Sequence, residues 1–195
     1  MQKKIVITGY GWMAGYLGNA LLSSDSPIDA HVVGTTRSDD KLVQMSKQNI
    51  TGIKFALGDD TSRLCQYMQD ATFIINIPPG RRNTQLNGFT QQVIALINDA
   101  VAANVAHIIF VSTTSVYGDS TNQMLTETSG TAPETASAKA HVAIEEHLAS
   151  LSSKVNYTVL RLAGLVGPDR HPERSLSGRE LPAGNKRINL VHIAD

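Results

Sequence analysis

A single cysteine, Cys65, stands in a chain of 195 residues. No internal disulfide can form, and that cysteine usage suits a reducing, cytoplasmic compartment. Net charge is also missing, since 17 Lys and Arg balance 17 Asp and Glu. A broad surface for nucleic acid or an anionic membrane is therefore not expected, which leaves room only for a local basic pocket. No apolar run approaches the ~18 residues of a membrane span. The run Ile5-Val6-Ile7 behind Lys3 and Lys4 stops at Thr8-Gly9, too short for a signal-peptide core. Internal repeats and low-complexity tracts are absent. The histidines and the cysteine have no metal-ligand spacing, so no metal is expected. Asp119 and Glu127 do not make a separated carboxylate pair, so hydrolysis has no support. With 42% hydrophobic and 17% charged residues, the chain has a core to bury and is neither disordered nor fibrous.

What is present is concentrated near the start. Ile5-Val6-Ile7 reads as a buried strand, and Leu17, Ala20, Leu21 and Leu22 read as one face of a helix. Between them, Gly9-x-Gly11-x-x-Ala14 fits the G-x-G-x-x-G/A pattern of dinucleotide-binding turns. Each position has a physical task. Gly9 makes the tight turn, Gly11 lets a pyrophosphate approach the backbone, and Ala14 lets the helix pack on the strand. The helix N-terminus at Trp12 and Met13 then offers free N–H groups and a positive dipole end.

Short apolar runs alternate with longer amphipathic ones along the rest of the chain. Strands are expected at Lys4–Thr8, His31–Thr35, Ile53–Leu57, Phe73–Ile77, His107–Ser112 and Tyr157–Leu162. Helices are expected at Met13–Ser23, Asp39–Gln48, Ser62–Met68, Thr84–Ala103 and Thr135–Leu151. This alternation implies βαβ units: an α/β fold with a Rossmann-type, doubly wound parallel sheet. Helical Ile94, Leu96, Ile97 and Val101 face the core. Residues 1–163 read as one cofactor-binding domain. Residues 164–195, punctuated by Gly164, Gly167, Pro168, Pro172, Gly178, Pro182 and Gly184, read as the beginning of a substrate-binding region that lacks most of its lobe. The last strand, Ile188–Ile193, has nothing after it to cover its apolar residues, and such an edge invites a homo-oligomer.

The second strand bears on the choice of cofactor. An NAD site usually has an acid at its end, against the ribose 2′-hydroxyl. Here it runs into Thr36-Arg37-Ser38, and Asp39 and Asp40 come late enough to serve the first turn of a helix. Arg37 suits a 2′-phosphate, with Thr36 and Ser38 as hydroxyl donors, so NADP is favoured over NAD. A solvated surface role for Arg37 stays open. Asp59 either meets the adenine amino group or caps a helix beside Asp60 and Thr61. Arg81 and Arg82 after the fourth strand face an anion or simply solvent.

Phe110-Val111-Ser112-Thr113-Thr114-Ser115-Val116-Tyr117-Gly118-Asp119 resembles the SSxxVYGD segment of the extended short-chain dehydrogenase/reductase superfamily. Arg161 to Pro168 resembles its R-x-x-x-x-x-G-P segment, and Asn189 to Asp195 its N-x-x-H-x-x-D segment. The likeness is greatest to an atypical, epimerase/dehydratase-like branch with GxGWxG at the first turn and RLAGLVGPxRHP after the sixth strand, matched here by Gly9–Ala14 and Arg161–Pro172. The resemblance implies NAD(P) contacts at Gly9, Gly11, Trp12, Met13, Ala14, Thr36, Arg37, Ser38, Asp59, Ile77, Pro78, Lys139 and Leu162. It implies substrate contacts at Arg81, Thr114, Ser115, Arg170 and His192. Catalysis in the superfamily uses a Ser/Thr, a Tyr and a Lys, the last two spaced Y-x-x-x-K. Thr113 falls at the first position and Lys139 at the last, but Thr135 stands where the tyrosine belongs, and Ala132–Ala138 holds no tyrosine. An alcohol is far too weak an acid to replace a phenol, and Tyr117 is the nearest tyrosine in sequence. The implied activity is an NAD(P)-dependent oxidoreductase or epimerase/dehydratase on a small hydroxyl or carbonyl compound, nucleotide-linked in some members. The alternative is a non-catalytic NAD(P)-binding sensor.

Overall fold

Six strands pair in parallel to make the main sheet of the computed structural model, which describes residues 2–80, 86–118, 124–178, 180 and 188–195. Arg81, Arg82, Asp119, Pro182 and Gly184 lie outside the described residues. The strands are β1 (Lys3–Thr8), β2 (Ala30–Thr36), β3 (Thr51–Lys54), β4 (Thr72–Ile75), β5 (His107–Thr113) and β6 (Asn156–Leu162), in the order β3-β2-β1-β4-β5-β6. This is the doubly wound Rossmann order. The helices are α1 (Trp12–Leu21), α2 (Asp39–Lys47), α3 (Ser62–Cys65), α4 (Leu86–Ala102), α5 (Ala136–Ser150) and α6 (Glu173–Leu176), with a 3₁₀ turn at Thr114–Tyr117.

Side chains alternate across each strand and so build two cores. Val6, Val33, Phe73, Ile75, Ile108 and Phe110 face one side, packed with Leu96 and Ile97 of α4 and Ile144 and Leu148 of α5. Ile5, Ile7, Val32 and Ile74 face the other, packed with Ala14 of α1 and Met45 of α2. On this second side Ile109 and Val111 of β5 are only half-buried, and Leu160 of β6 is exposed.

Several elements differ from the sequence expectations: β4 ends at Ile75 rather than Ile77, α6 was not foreseen, and three further differences have a local cause. Helix α3 stops at Cys65 because the bonds Tyr67 N–H to Leu64 O and Met68 N–H to Cys65 O tighten the chain into turns that draw Met68 into the core. Strand β3 starts earlier than expected, since Thr51 and Gly52 pair with Val33 and Gly34, and it ends where Ala56 enters a turn closed by Asp59. The terminal strand is only Leu190–His192 (β8), and it pairs in parallel with an unforeseen strand, β7 (Gly164–Val166), as a separate two-stranded sheet. Ile188 and Leu190 are exposed. No helix among the described residues is long and apolar enough to cross a membrane.

Candidate functional site

The strand order reverses between β1 and β4, and in an open parallel sheet the ligand crevice opens at such a point, outside the carboxyl ends of the strands. The glycine turn leaves β1 there. Its conformation is held by both neighbouring strands. Gly9 N–H donates to Thr35 Oγ1 at 3.1 Å and Tyr10 N–H to Thr35 O at 2.8 Å. From the other side, Asn76 Nδ2 donates to Gly9 O at 3.0 Å. Gly9 has φ +78°, and a Cβ there would lie 2.4 Å from Asn76 O, so only glycine fits. Gly11 is different: a Cβ would meet nothing nearer than Gly9 O at 3.9 Å. The space over Gly11 is open.

Helix α1 begins on that open space with no cap. Gly11 is its N-cap and supplies no side chain, and the first intrahelical bond is Gly15 N–H to Gly11 O at 3.0 Å. The N–H groups of Trp12, Met13 and Ala14 therefore have no partner among the described residues. Unpartnered donors at a helix N-terminus suit an anion. The Ala14 side chain is fully buried against the sheet. Tyr10 points away from the crevice, under α1, where its hydroxyl has no partner and burial pushes its pKa up to about 12.

Thr36 ends β2, and its hydroxyl accepts from Ser38 N–H at 3.2 Å. Ser38 is the N-cap of α2, accepting from Lys41 N–H. Arg37 between them is exposed. The Asp59 carboxylate accepts from Ala56 N–H at 2.7 Å and folds the loop after β3, while Asp60 receives Ser62 N–H at the start of α3. Ile77 is half-buried and Pro78 exposed beyond β4, on the same edge of the sheet.

A second corner of that edge lies beyond β5. Thr113 caps the 3₁₀ turn, accepting from Ser115 N–H, and donates to Ser115 Oγ at 3.1 Å. Thr135 is the N-cap of α5, its hydroxyl accepting from Ala138 N–H at 3.1 Å. Lys139 is exposed one turn further along α5. The Tyr117 hydroxyl donates to Thr126 O at 3.0 Å and accepts from Arg161 Nη1 at 2.8 Å. Arg161 also chelates Glu145, with Nη2 to Oε2 at 2.7 Å, and Ser112 Oγ donates to the other carboxylate oxygen. The hydrogen bond to Glu145 holds the Arg161 pKa above its ordinary value. Glu145 is buried and Arg161 half-buried, and the pair ties α5, β5 and β6 together. A charged residue among Ile144, Leu148 and Ala140 on the inner face of α5 was its only trace in the sequence.

An open cleft of about 710 Å³ runs beside this corner, lined by Thr114, Tyr117, Tyr157, Arg161 and Leu162 among others. None of Gly9–Ala14 lines it. His192 ends β8 and is exposed, its ring nitrogen accepting from Ala194 N–H. The structure also joins residues that the sequence left apart. Trp12 Nε1 and Tyr16 Oη both donate to Asp169, at 2.8 and 3.0 Å, and the Arg170 guanidinium lies 5.0 Å from the centre of a Trp12 ring. The bond to Asp169 raises the Tyr16 pKa.

A family model described as NAD(P)H-binding matches residues 9–195. Protein YeeZ of Escherichia coli K12 is 33% identical over 198 residues, a match that covers all of this chain and 70% of YeeZ. A conserved protein of unknown function from Silicibacter pomeroyi superposes with a TM-score of 0.70 at 21% identity, over 99% of this chain and 64% of its own. UDP-glucuronic acid 4-epimerase from Bacillus cereus, solved with UDP-glucuronic acid and NAD, superposes with a TM-score of 0.75 at 20% identity, over 98% of this chain and 69% of its own. The chain thus spans about two thirds of the length of these proteins.

Proposed function

The chain belongs to the NAD(P)H-binding family, and we propose that it binds NADP(H) in preference to NAD(H) at the glycine turn. The observation that carries this reading is the set of three N–H groups, on Trp12, Met13 and Ala14, that have no partner among the described residues and begin the helix at the open space over Gly11. A pyrophosphate fits there because it brings acceptors and negative charge to donors that have neither. Arg37, exposed between two hydroxyls at the end of β2, would hold the 2′-phosphate. Lys139 would hold the nicotinamide ribose, and Thr113 would orient a substrate oxygen.

A bound nicotinamide would supply or accept a hydride. The substrate class we assign is a small hydroxyl or carbonyl compound, with nucleotide-linked sugars the first candidates because the Bacillus cereus neighbour binds one. The proton must then come from a group other than Thr135, whose hydroxyl accepts the cap bond to Ala138 N–H and is far from acidic enough. A second reading, a non-catalytic NAD(P) sensor, has one observation in its favour: the hydroxyl of Tyr117 is already engaged by Arg161 and Thr126. Calorimetry with NADPH and NADH, followed by NADPH oxidation over a panel of carbonyl and sugar-nucleotide substrates, tests both. Tight binding with slow turnover is expected. Absence of binding removes both readings, and brisk turnover removes the sensor.

A further inference from the structure

We propose that Arg170 is a ligand of the cofactor's pyrophosphate, carried to the glycine turn by the docking of the 167–170 turn on Trp12. The inference rests on the cofactor reading above and adds a cation to a turn and helix end whose own residues have none. From Thr8 through Leu21 the chain contains no Lys, Arg or His. A pyrophosphate diester carries two negative charges, and the helix end offers the equivalent of only about half a positive charge. The structure brings Arg170 beside the indole of Trp12. Its guanidinium lies 5.0 Å from the centre of a Trp12 ring, and Trp12 is both the first residue of α1 and one of the three open N–H donors.

The docking is built rather than incidental. Asp169 takes hydrogen bonds from Trp12 Nε1 and Tyr16 Oη, two donors one helical turn apart on α1. Arg170 N–H donates to Gly167 O at 3.0 Å, closing a tight turn that presents Asp169 and Arg170 side by side. Gly167 is buried under the indole: a Cβ there would come within 2.9 Å of the Trp12 ring and 2.8 Å of Ile193. Ile193 N–H in turn donates to Val166 O at 2.8 Å, so β7, β8 and the 167–170 turn form one unit seated on Trp12. A guanidinium stacked on an aromatic face keeps its in-plane N–H groups available for phosphate oxygens. Asp169 anchors the turn, and Arg170 is the cation that this docking sets beside the first residue of α1.

The pyrophosphate of a nucleotide-linked substrate has the same chemistry, so the test separates the two sources. Calorimetry on the 195-residue chain compares NADPH, NADH, ADP-ribose and UDP-glucose with the parent protein and with Arg170→Gln, an exposed position whose change leaves the core untouched. Loss of one charge-assisted contact should weaken NADPH, NADH and ADP-ribose alike by about 10- to 100-fold. Trp12 is the only tryptophan, so its emission reports the site directly. ADP-ribose should shift that emission in the parent, adenosine should not, and Arg170→Gln should abolish the shift. If Arg170→Gln binds all three cofactor ligands within twofold of the parent, or weakens UDP-glucose alone, the proposal is overturned. The cofactor reading would survive that result wherever Gly11→Val still abolishes binding. A parent that binds none of the ligands ends both.

Discussion

The glycine turn and the corner between β5 and α5 sit on the same edge of one sheet, yet they use their polar groups in opposite ways. At the turn, Thr35 and Asn76 shape the backbone from either side, and the donors of Trp12, Met13 and Ala14 stay open. At the corner, side-chain groups hold the structure. Thr113 caps the 3₁₀ turn, Thr135 caps α5, Tyr117 is held between Arg161 and Thr126, and Glu145 neutralises Arg161. A site keeps for its ligand what its own fold does not use. By that criterion the first region is built to bind, while the second owes more of its polar chemistry to stability.

The largest test of this contrast is Gly11→Val. The structure has room for the side chain, so the melting temperature should stay near the parent's, while NADPH affinity falls by more than about 100-fold as the phosphate approach is filled. Gly9→Ala is its counterpart, because a Cβ 2.4 Å from Asn76 O should instead damage folding itself. Unchanged NADPH affinity in Gly11→Val would misplace the site. Next in size is Glu145→Ala. It leaves Arg161 charged beside Tyr117 on the wall of the open cleft, and urea unfolding should show a loss of about 1–3 kcal/mol, less than for a fully buried pair. A loss below ~1 kcal/mol would mean that the corner is less tightly built than described.

Smaller effects sharpen the comparison. Arg37→Ala should cut NADPH affinity about tenfold and leave NADH unchanged, with the difference shrinking in high salt. An equal effect on both cofactors would argue for NAD. Thr135→Ala removes the α5 cap and should cost about 1 kcal/mol in thermal or urea unfolding, with turnover near the parent's low value. Brisk parent turnover abolished by this change would make Thr135 catalytic. The smallest effect at neutral pH is that of Tyr10→Phe, which deletes an unpartnered buried hydroxyl and should alter stability by no more than about 0.5 kcal/mol. Its signature lies in alkali. The folded protein keeps this phenol neutral up to about 12, against 10 for a free one. The contribution of Tyr10 to stability should therefore be constant below pH 10 and fall as pH rises from there toward 12. Tyr10→Phe should lack that part of the decline, and superimposable pH curves would contradict the burial of Tyr10.

The alternation of apolar runs made the sheet legible, because each parallel strand buried on both faces must be apolar throughout. The glycine turn was legible because tight turning and close backbone approach leave a mark on residue type. Ends of elements were less so. Helix α3 stops where the burial of Met68 tightens the chain, and β7 is three residues that mean nothing until Leu190–His192 lies beside them. The partners in the ties between Glu145 and Arg161 and between Trp12 and Asp169 were not legible. These ties join residues 16 and 157 positions apart, and nothing local signals a partner at that distance.

By itself the sequence determined the α/β architecture, the position of the dinucleotide turn and the absence of a tyrosine four residues before Lys139, since each of these is a property of residue type and short-range spacing. Only the tertiary structure decided which of the polar groups remain free. Whether Thr135, Tyr117 or Asp59 faces a ligand or its own backbone depends on what the fold places within 3 Å of it, and hydrogen-bond partners brought together by packing leave no pattern along the chain.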